Sequence, residues 1–215
     1  MIETATGLIL RTRPLTETSL VVCWLTPDFG RIATIAKGAR RHKSPFLGKL
    51  DVFFEADFSF TRSRSSDLHP LREVSLRETH GALRENIQAL RRAAYAVAFV
   101  EQATETETPL PDIFKLLQAF FNRLCEQKSP EQIVFSMELK LLRELGLEPD
   151  WSQTSLAAGT KKVAAILSRK DFAACENLKL TAAQAEELRQ FLHGFLIFHL
   201  GRLPRGRAAA LAGLI

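Results

Sequence analysis

The alternation of apolar and polar side chains changes period near residue 78. Before that point the period is two. Thr6 to Thr12 reads as a short strand, and Ser19 to Thr26 (SLVVCWLT) is rich in β-branched and aromatic residues. Pro27-Asp28-Phe29-Gly30 supplies a turn in which Pro27 presets φ and Gly30 tolerates positive φ. Arg31 to Lys37 then alternates and pairs back as a hairpin. Phe54 to Thr61 is the clearest strand: Phe54, Ala56, Phe58 and Phe60 share one face, and Glu55, Asp57, Ser59 and Thr61 share the other. Arg62 to Ser66 is a polar loop, and Leu71 to Leu76 is the last strand. Five short strands with no helix between them predict a small closed or nearly closed barrel, because closure removes exposed edges. The five-strand version is an OB-type barrel.

After Thr79 the period becomes helical. Leu83, Ile87, Leu90, Ala94 and Val97 form one stripe. Glu101 to Asp112 carries four acids and no base, and Pro109 and Pro111 interrupt it. Ile113, Leu116, Leu117, Phe120, Phe121 and Leu124 form a second stripe. Ser129-Pro130 reads as an N-cap followed by proline at the first helical position. That helix carries Ile133, Met137, Leu141, Leu142 and Leu145, with Gly146 as its C-cap. Val163 to Leu167 is ambiguous between strand and helix. Thr181 with Gln184 predicts a capping box, and the helix that follows buries Leu188, Phe191, Leu192, Phe195 and Phe198 and stops at Gly201. The predicted fold class is α+β: an OB-type barrel over residues 1–78, then an all-α domain over 79–215.

Composition narrows this picture. A hydrophobic fraction of 46% supports a buried core and argues against wholesale disorder. No apolar run is long enough to span a membrane, and no signal peptide is visible at Met1-Ile2-Glu3-Thr4. Cys23, Cys125 and Cys175 lie far apart, which argues against a disulfide framework and suits a reducing cytoplasm.

The net charge of +5 hints at a polyanionic partner, and its placement matters more than its size. Arg31, Lys37, Arg40, Arg41, Lys43 and Lys49 fall in one window that holds no acid. Such a segment tracks phosphates, and Arg11 and Arg13 at the end of the first strand extend it. The bland alternative is a solvated loop. Phe29 and Phe46 are candidates for base stacking, whereas Trp24 reads as barrel core. The histidines have no close partner of metal-ligand type, and neither a phosphate-cradling glycine loop nor a nucleophile elbow is present. These residues predict a binding protein rather than an enzyme. A protein-interaction adaptor and a sequence-tolerant RNA-binding barrel remain alternatives.

Several runs carry a family resemblance. They are Arg13-Pro14-Leu15-Thr16-Glu17-Thr18-Ser19-Leu20, Thr26 through Gly30-Arg31, Ala36-Lys37-Gly38-Ala39-Arg40 and Leu47-Gly48-Lys49-Leu50. Weaker ones are Glu138-Leu139 through Leu145-Gly146-Leu147-Glu148-Pro149, and His199-Leu200-Gly201-Arg202. Together they resemble the RecO family of bacterial DNA repair proteins. The resemblance implies an N-terminal OB fold, a helical C-terminal domain and a recombination mediator without catalytic activity. It implies binding to single- and double-stranded DNA and annealing of complementary strands. The implied partners are RecR and the acidic C-terminal tail of single-stranded DNA-binding protein, with the RecA recombinase loaded as the outcome.

Two departures from the family pattern follow. Many members carry a four-cysteine zinc module after the segment matching Leu145-Gly146-Leu147. Here residues 150–180 hold only Cys175, a degenerate remnant, so no zinc or other cofactor is expected. Phe135 and Ser136 stand where some relatives have arginines, which leaves Lys140, Arg143 and Arg202 as candidates to receive the tail's carboxylates.

Overall fold

The computed structural model describes residues 1–126 and 130–212. Five strands, β1 (Ile2–Pro14), β2 (Leu20–Thr26), β3 (Gly30–Ala36), β4 (Glu55–Thr61) and β5 (Leu68–Glu78), close into a barrel in the order β1-β2-β3-β5-β4. One long strand makes closure possible. The half of β1 up to Leu8 pairs with β4, and the half from Leu8 to Pro14 pairs with β2. The register slips between Ile9 and Arg11, and such an irregularity bends the strand from one neighbour to the other. All pairings are antiparallel except β3 with β5, which touch only over Ala33–Ile35 and Leu68–Pro70. This is the α+β architecture with an OB-type barrel that the alternation predicts.

Ile9, Val22, Trp24, Ile32, Ala36, Phe58, Phe60 and Val74 fill the barrel. Trp24 is wholly buried, stacks on Phe58 at 4.0 Å, and donates its indole N–H to Thr34 Oγ1 at 2.8 Å. The turn between β2 and β3 needs Gly30 (φ +62°), as predicted. Phe54 is only half-buried and Glu55 is buried. A register shift between Glu55 and Ala56 breaks the simple alternation there, and the Glu55 carboxylate accepts a hydrogen bond from Gln118 at 2.7 Å.

The chain divides into two compact units. The first is Met1–His80 together with Thr104–Gln118; the second is Gly81–Ala103 with the described residues from Ala119 onward. The acidic segment before Gln118, which the period places with the helices, thus belongs with the barrel. The helices are α1 (Ile87–Ala103), α2 (Pro111–Cys125), α3 (Gln132–Glu144), α4 (Ala158–Arg169), α5 (Phe172–Glu176), α6 (Ala182–Leu200) and α7 (Arg207–Leu211).

α3 is the axis of the second unit: every residue from Ile133 to Leu142 is buried. Its end is a Schellman motif, with Gly146 (φ +72°) donating to the Arg143 carbonyl and Leu147 to the Leu142 carbonyl. The N-cap expected at Ser129 lies outside the described residues. Val163 to Leu167 is helical, within α4. The capping box of Thr181 and Gln184 opens α6 as predicted.

Two apolar stripes are mis-phased by the sequence. In α1 the buried face runs through Ala89, Ala93, Ala96, Val97 and Val100, while Ile87 is exposed. Leu83 sits in a separate 3-10 turn, and Asn86 restarts the helix by accepting the Gln88 and Ala89 N–H groups, so counting from Leu83 fails. In α6 the buried residues are Leu188, Leu192 and Leu196, whereas Phe198 is 83% exposed.

Candidate nucleic-acid interface

The loop after β3 lacks apolar periodicity, yet it is firmly seated. Successive turns run through it, with Arg41 N–H donating to Gly38, Ser44 to Arg41, Leu47 to Ser44 and Lys49 to Phe46. Ala39 and Phe46 insert into the barrel core as two apolar plugs. The Arg40 backbone N–H donates to the Thr18 carbonyl at 3.0 Å, and its guanidinium reaches the Thr16 carbonyl, so the loop is tied to the β1–β2 connection.

Lys37, Arg40, Arg41 and Lys43 are all exposed to solvent on this support, along with His42. Arg11 and Arg13 are exposed on β1. Register brings them to the same end: Pro14 pairs with Leu20, and Leu20 with Ala36, the residue before Lys37. Glu17, in the β1–β2 connection, is the nearby acid in sequence. Exposed cations on a hydrogen-bonded loop suit phosphate tracking without reading bases.

Other expected residues take structural parts. Arg31 is half-buried and its guanidinium donates to the Thr104 carbonyl. Lys49 Nζ donates to the Val74 carbonyl at 3.2 Å, on the stretch of β5 that lies beyond its short pairing with β3. Phe46 is 6% exposed, so it has no face to offer a base. Phe29 is half-buried, edge-on to Phe60, with the Arg62 guanidinium 5.8 Å above its ring.

A groove of about 750 Å³ on the barrel is lined in part by Thr6, Lys49, Asp57, Arg72 and Arg77. Its three cations, Lys49, Arg72 and Arg77, already donate to partners on the barrel. Arg77 donates to Asp57 at 2.7 Å and Thr6 to the same carboxylate at 2.6 Å; Arg77 first, then Thr6, hold the Asp57 carboxyl below its usual range. The exposed loop is the better anion surface.

The residues expected to receive a peptide carboxylate divide. Lys140 is buried, and its ammonium donates to the Ser168 and Lys170 carbonyls; Arg143 also donates to Ser168. Both therefore cap the C-terminal end of α4, where cations satisfy the last carbonyls and complement the helix dipole. Burial, the main cause, lowers the Lys140 pKa from its ordinary value. Lys140 thus serves the end of α4 and offers its ammonium to carbonyls of this chain. Arg202 is exposed just past the end of α6, near the exposed Ile197 and Phe198 in sequence. The sequence singles out Lys140 by its place beside the segment of the family resemblance; it marks Arg202 as well, but Phe198 near it, expected in the core, is instead exposed.

Residues 150–180 fold into α4 and α5. The Cys175 thiol lies buried between them and α3, near Ser136 Oγ (3.4 Å) and the Lys170 carbonyl (3.4 Å). Among the described residues no three His, Cys, Asp or Glu side chains converge as a metal site, and a lone buried thiol does not fit a four-ligand zinc module.

Comparison with known proteins agrees with this geometry. Family models described as "Recombination protein O N terminal" and "Recombination protein O C terminal" match residues 1–80 and 84–156. A DNA repair protein RecO from Alkaliphilus metalliredigens is 29% identical over 231 residues, covering 92% of this chain and 93% of that protein. One from Bacillus pumilus is 29% identical over 94% of this chain and 81% of its own length. In the match to RecO of Exiguobacterium sibiricum, 29% identical over 69% of this chain, the chain spans only 59% of the relative's length. Both units carry a family match, and the first coincides with the barrel: the chain belongs to the recombination protein O (RecO) family of DNA repair proteins.

Proposed function

We propose that the chain is a non-enzymatic recombination mediator whose barrel binds single- and double-stranded DNA through the sugar-phosphate backbone. The observation that carries this is the set of four solvent-facing cations, Lys37, Arg40, Arg41 and Lys43, on a loop pinned by Ala39, Phe46 and the Arg40 backbone. Arg11 and Arg13 extend the surface along β1. Two strands neutralised on one surface approach each other at lower electrostatic cost, which supports annealing of complementary strands.

The family also supports cooperation with RecR and loading of RecA onto strands coated by single-stranded DNA-binding protein. Of the three candidates for that protein's acidic tail, Arg202 is favoured, because it is exposed at the end of α6 after exposed Ile197 and Phe198, whereas Lys140 and Arg143 donate to carbonyls at the end of α4. Burial of Cys175, the one cysteine of residues 150–180, supports a helical domain that folds without zinc. No described helix is long and apolar enough to cross a membrane.

The test is the triple variant Arg40→Glu, Arg41→Glu, Lys43→Glu, with single-strand affinity measured against salt. Losing three phosphate contacts should flatten the slope of log K against log salt by about 2. The loss should be equal for unrelated sequences. Unchanged affinity and slope would remove this loop from the interface. Annealing by the isolated protein separates the reading from a pure adaptor, and competition between matched RNA and DNA separates it from an RNA-binding barrel.

A further inference from the structure

At a second place on the barrel, Arg62 and His69 meet a carboxylate of the chain itself. β5 pairs with β3 only from Ala33 to Ile35, so the start of β3 lacks that neighbour. Residues 104–110 lie there as a strap. Thr106 bridges Arg31, the Glu107 N–H donates to the Arg31 carbonyl at 2.9 Å, and the Leu110 N–H donates to the Pro27 carbonyl at 3.0 Å. The approach is close: a Cβ on Gly30 would stand 1.7 Å from the Thr108 carbonyl oxygen.

At the middle of the strap Glu107 adopts φ +57°, a region side chains rarely enter. That turn directs its two carboxylate oxygens to two separate partners. Oε2 is 3.1 Å from Arg62, at the end of β4, and Oε1 is 3.3 Å from His69 Nε2, on β5. His69 is 1% exposed and stacks on Phe60; its Nδ1 accepts from the Ser63 N–H, which leaves the proton on Nε2. That Nε2 has no aligned hydrogen bond, so a buried donor is aimed into the site and incompletely satisfied. Arg62 also lies 3.7 Å from Glu3 and covers the Phe29 ring. Two donors set to meet two oxygens of one anion, beside an aromatic ring, are what a nucleotide phosphate and its base require.

We propose that Arg62, His69 and Phe29 form a second single-strand subsite, closed by Glu107, and that a DNA backbone phosphate displaces this carboxylate. Arg62 then holds the phosphate beside the Phe29 ring, against which the adjoining base packs. The subsite rests on the reading that the barrel binds DNA, and it lies at the β4–β5 connection, one of the loops through which OB barrels contact oligonucleotides.

The experiment measures single-strand affinity at low salt for Glu107→Gln and for Glu105→Gln, each alone and combined with Arg62→Gln. Glu105 is exposed on the same strap and controls for the change in net charge. Glu107→Gln should tighten binding about fivefold, the worth of one exposed ion pair. Glu105→Gln should change affinity less than about twofold, since exposed charges are screened. The gain should vanish with Arg62→Gln. Glu107→Gly, which removes the carboxylate and suits the backbone angle, should reproduce it. No gain from either Glu107 variant, an equal gain from Glu105→Gln, or a gain that survives Arg62→Gln overturns the subsite. If the Arg40, Arg41, Lys43 variant loses affinity while Glu107→Gln does nothing, the subsite alone fails. If neither responds, DNA binding by the barrel fails with it.

Discussion

The second unit should depend on one buried ion pair. Glu138, at the centre of α3, is wholly buried, and Arg207 on α7 is 5% exposed. Arg207 Nε donates to Oε1 at 2.7 Å and Nη2 to Oε2 at 3.0 Å, a bidentate fork. Tyr95 on α1 donates to Oε1 as well. Burial first, and then the Glu138 carboxylate, push the Tyr95 phenol well above its normal range, so it stays protonated and remains a donor. Three helices distant in sequence thus meet on one carboxylate. At an effective dielectric of about 20, charges roughly 4 Å apart attract by about 4 kcal/mol. Removing one partner also strands the other charge in a dry interior, so each single variant should cost about 3–5 kcal/mol.

Glu138→Leu and Arg207→Met should therefore each move the helical unfolding transition to lower urea, by a large part of the roughly 5–15 kcal/mol that holds a domain together. The double variant should recover most of that loss, because neither charge is then stranded. Adding Tyr95→Phe removes the orphaned hydroxyl and should return about 1–3 kcal/mol more. The assay is equilibrium urea unfolding followed by helical ellipticity. Single-variant losses below about 1 kcal/mol, or losses that simply add in the double variant, would refute the reasoning.

The Asp57 carboxyl, held low chiefly by Arg77, is ionised in the fold at a pH where the unfolded chain has begun to protonate. Its contribution is therefore present above the ordinary value of 3.8 and lost as pH falls through the lower folded value, so Asp57→Asn should flatten the acid limb of barrel stability in urea titrations below that pH. On α6, Phe198→Ser and Arg202→Glu should each weaken binding of an acidic tail peptide at least about threefold in fluorescence anisotropy, while Lys140→Met should not. Equal weakening by Lys140→Met would return the tail to α3.

The barrel was legible because β3 and most of β4 repeat every two residues, and β-branched, aromatic and turn residues mark the other strands locally, although β1 and β2 bury runs of consecutive residues. Gly30, Gly146, Gly201 and the Thr181–Gln184 box were legible for the same reason: backbone angles and caps are set by immediate neighbours. Exposure of Lys37, Arg40, Arg41 and Lys43 also followed from a run without apolar period. Helix faces were less secure. A 3-10 turn at Leu83 resets the count in α1, and α6 offers two overlapping apolar stripes of which packing buries only one.

Only tertiary structure decided what each charge does. Lys140 and Arg143 look like surface cations until the end of α4 arrives with unpaired carbonyls. Arg31 and Lys49 belong to the basic window by sequence, yet backbone carbonyls from residues 104 and 74 claim them. Glu107 meets Arg62 and His69 across 45 and 38 positions of chain, a pairing no local period encodes. Alternation and capping act over a few residues and so leave their mark in the sequence; charge pairing acts through space and waits for the fold.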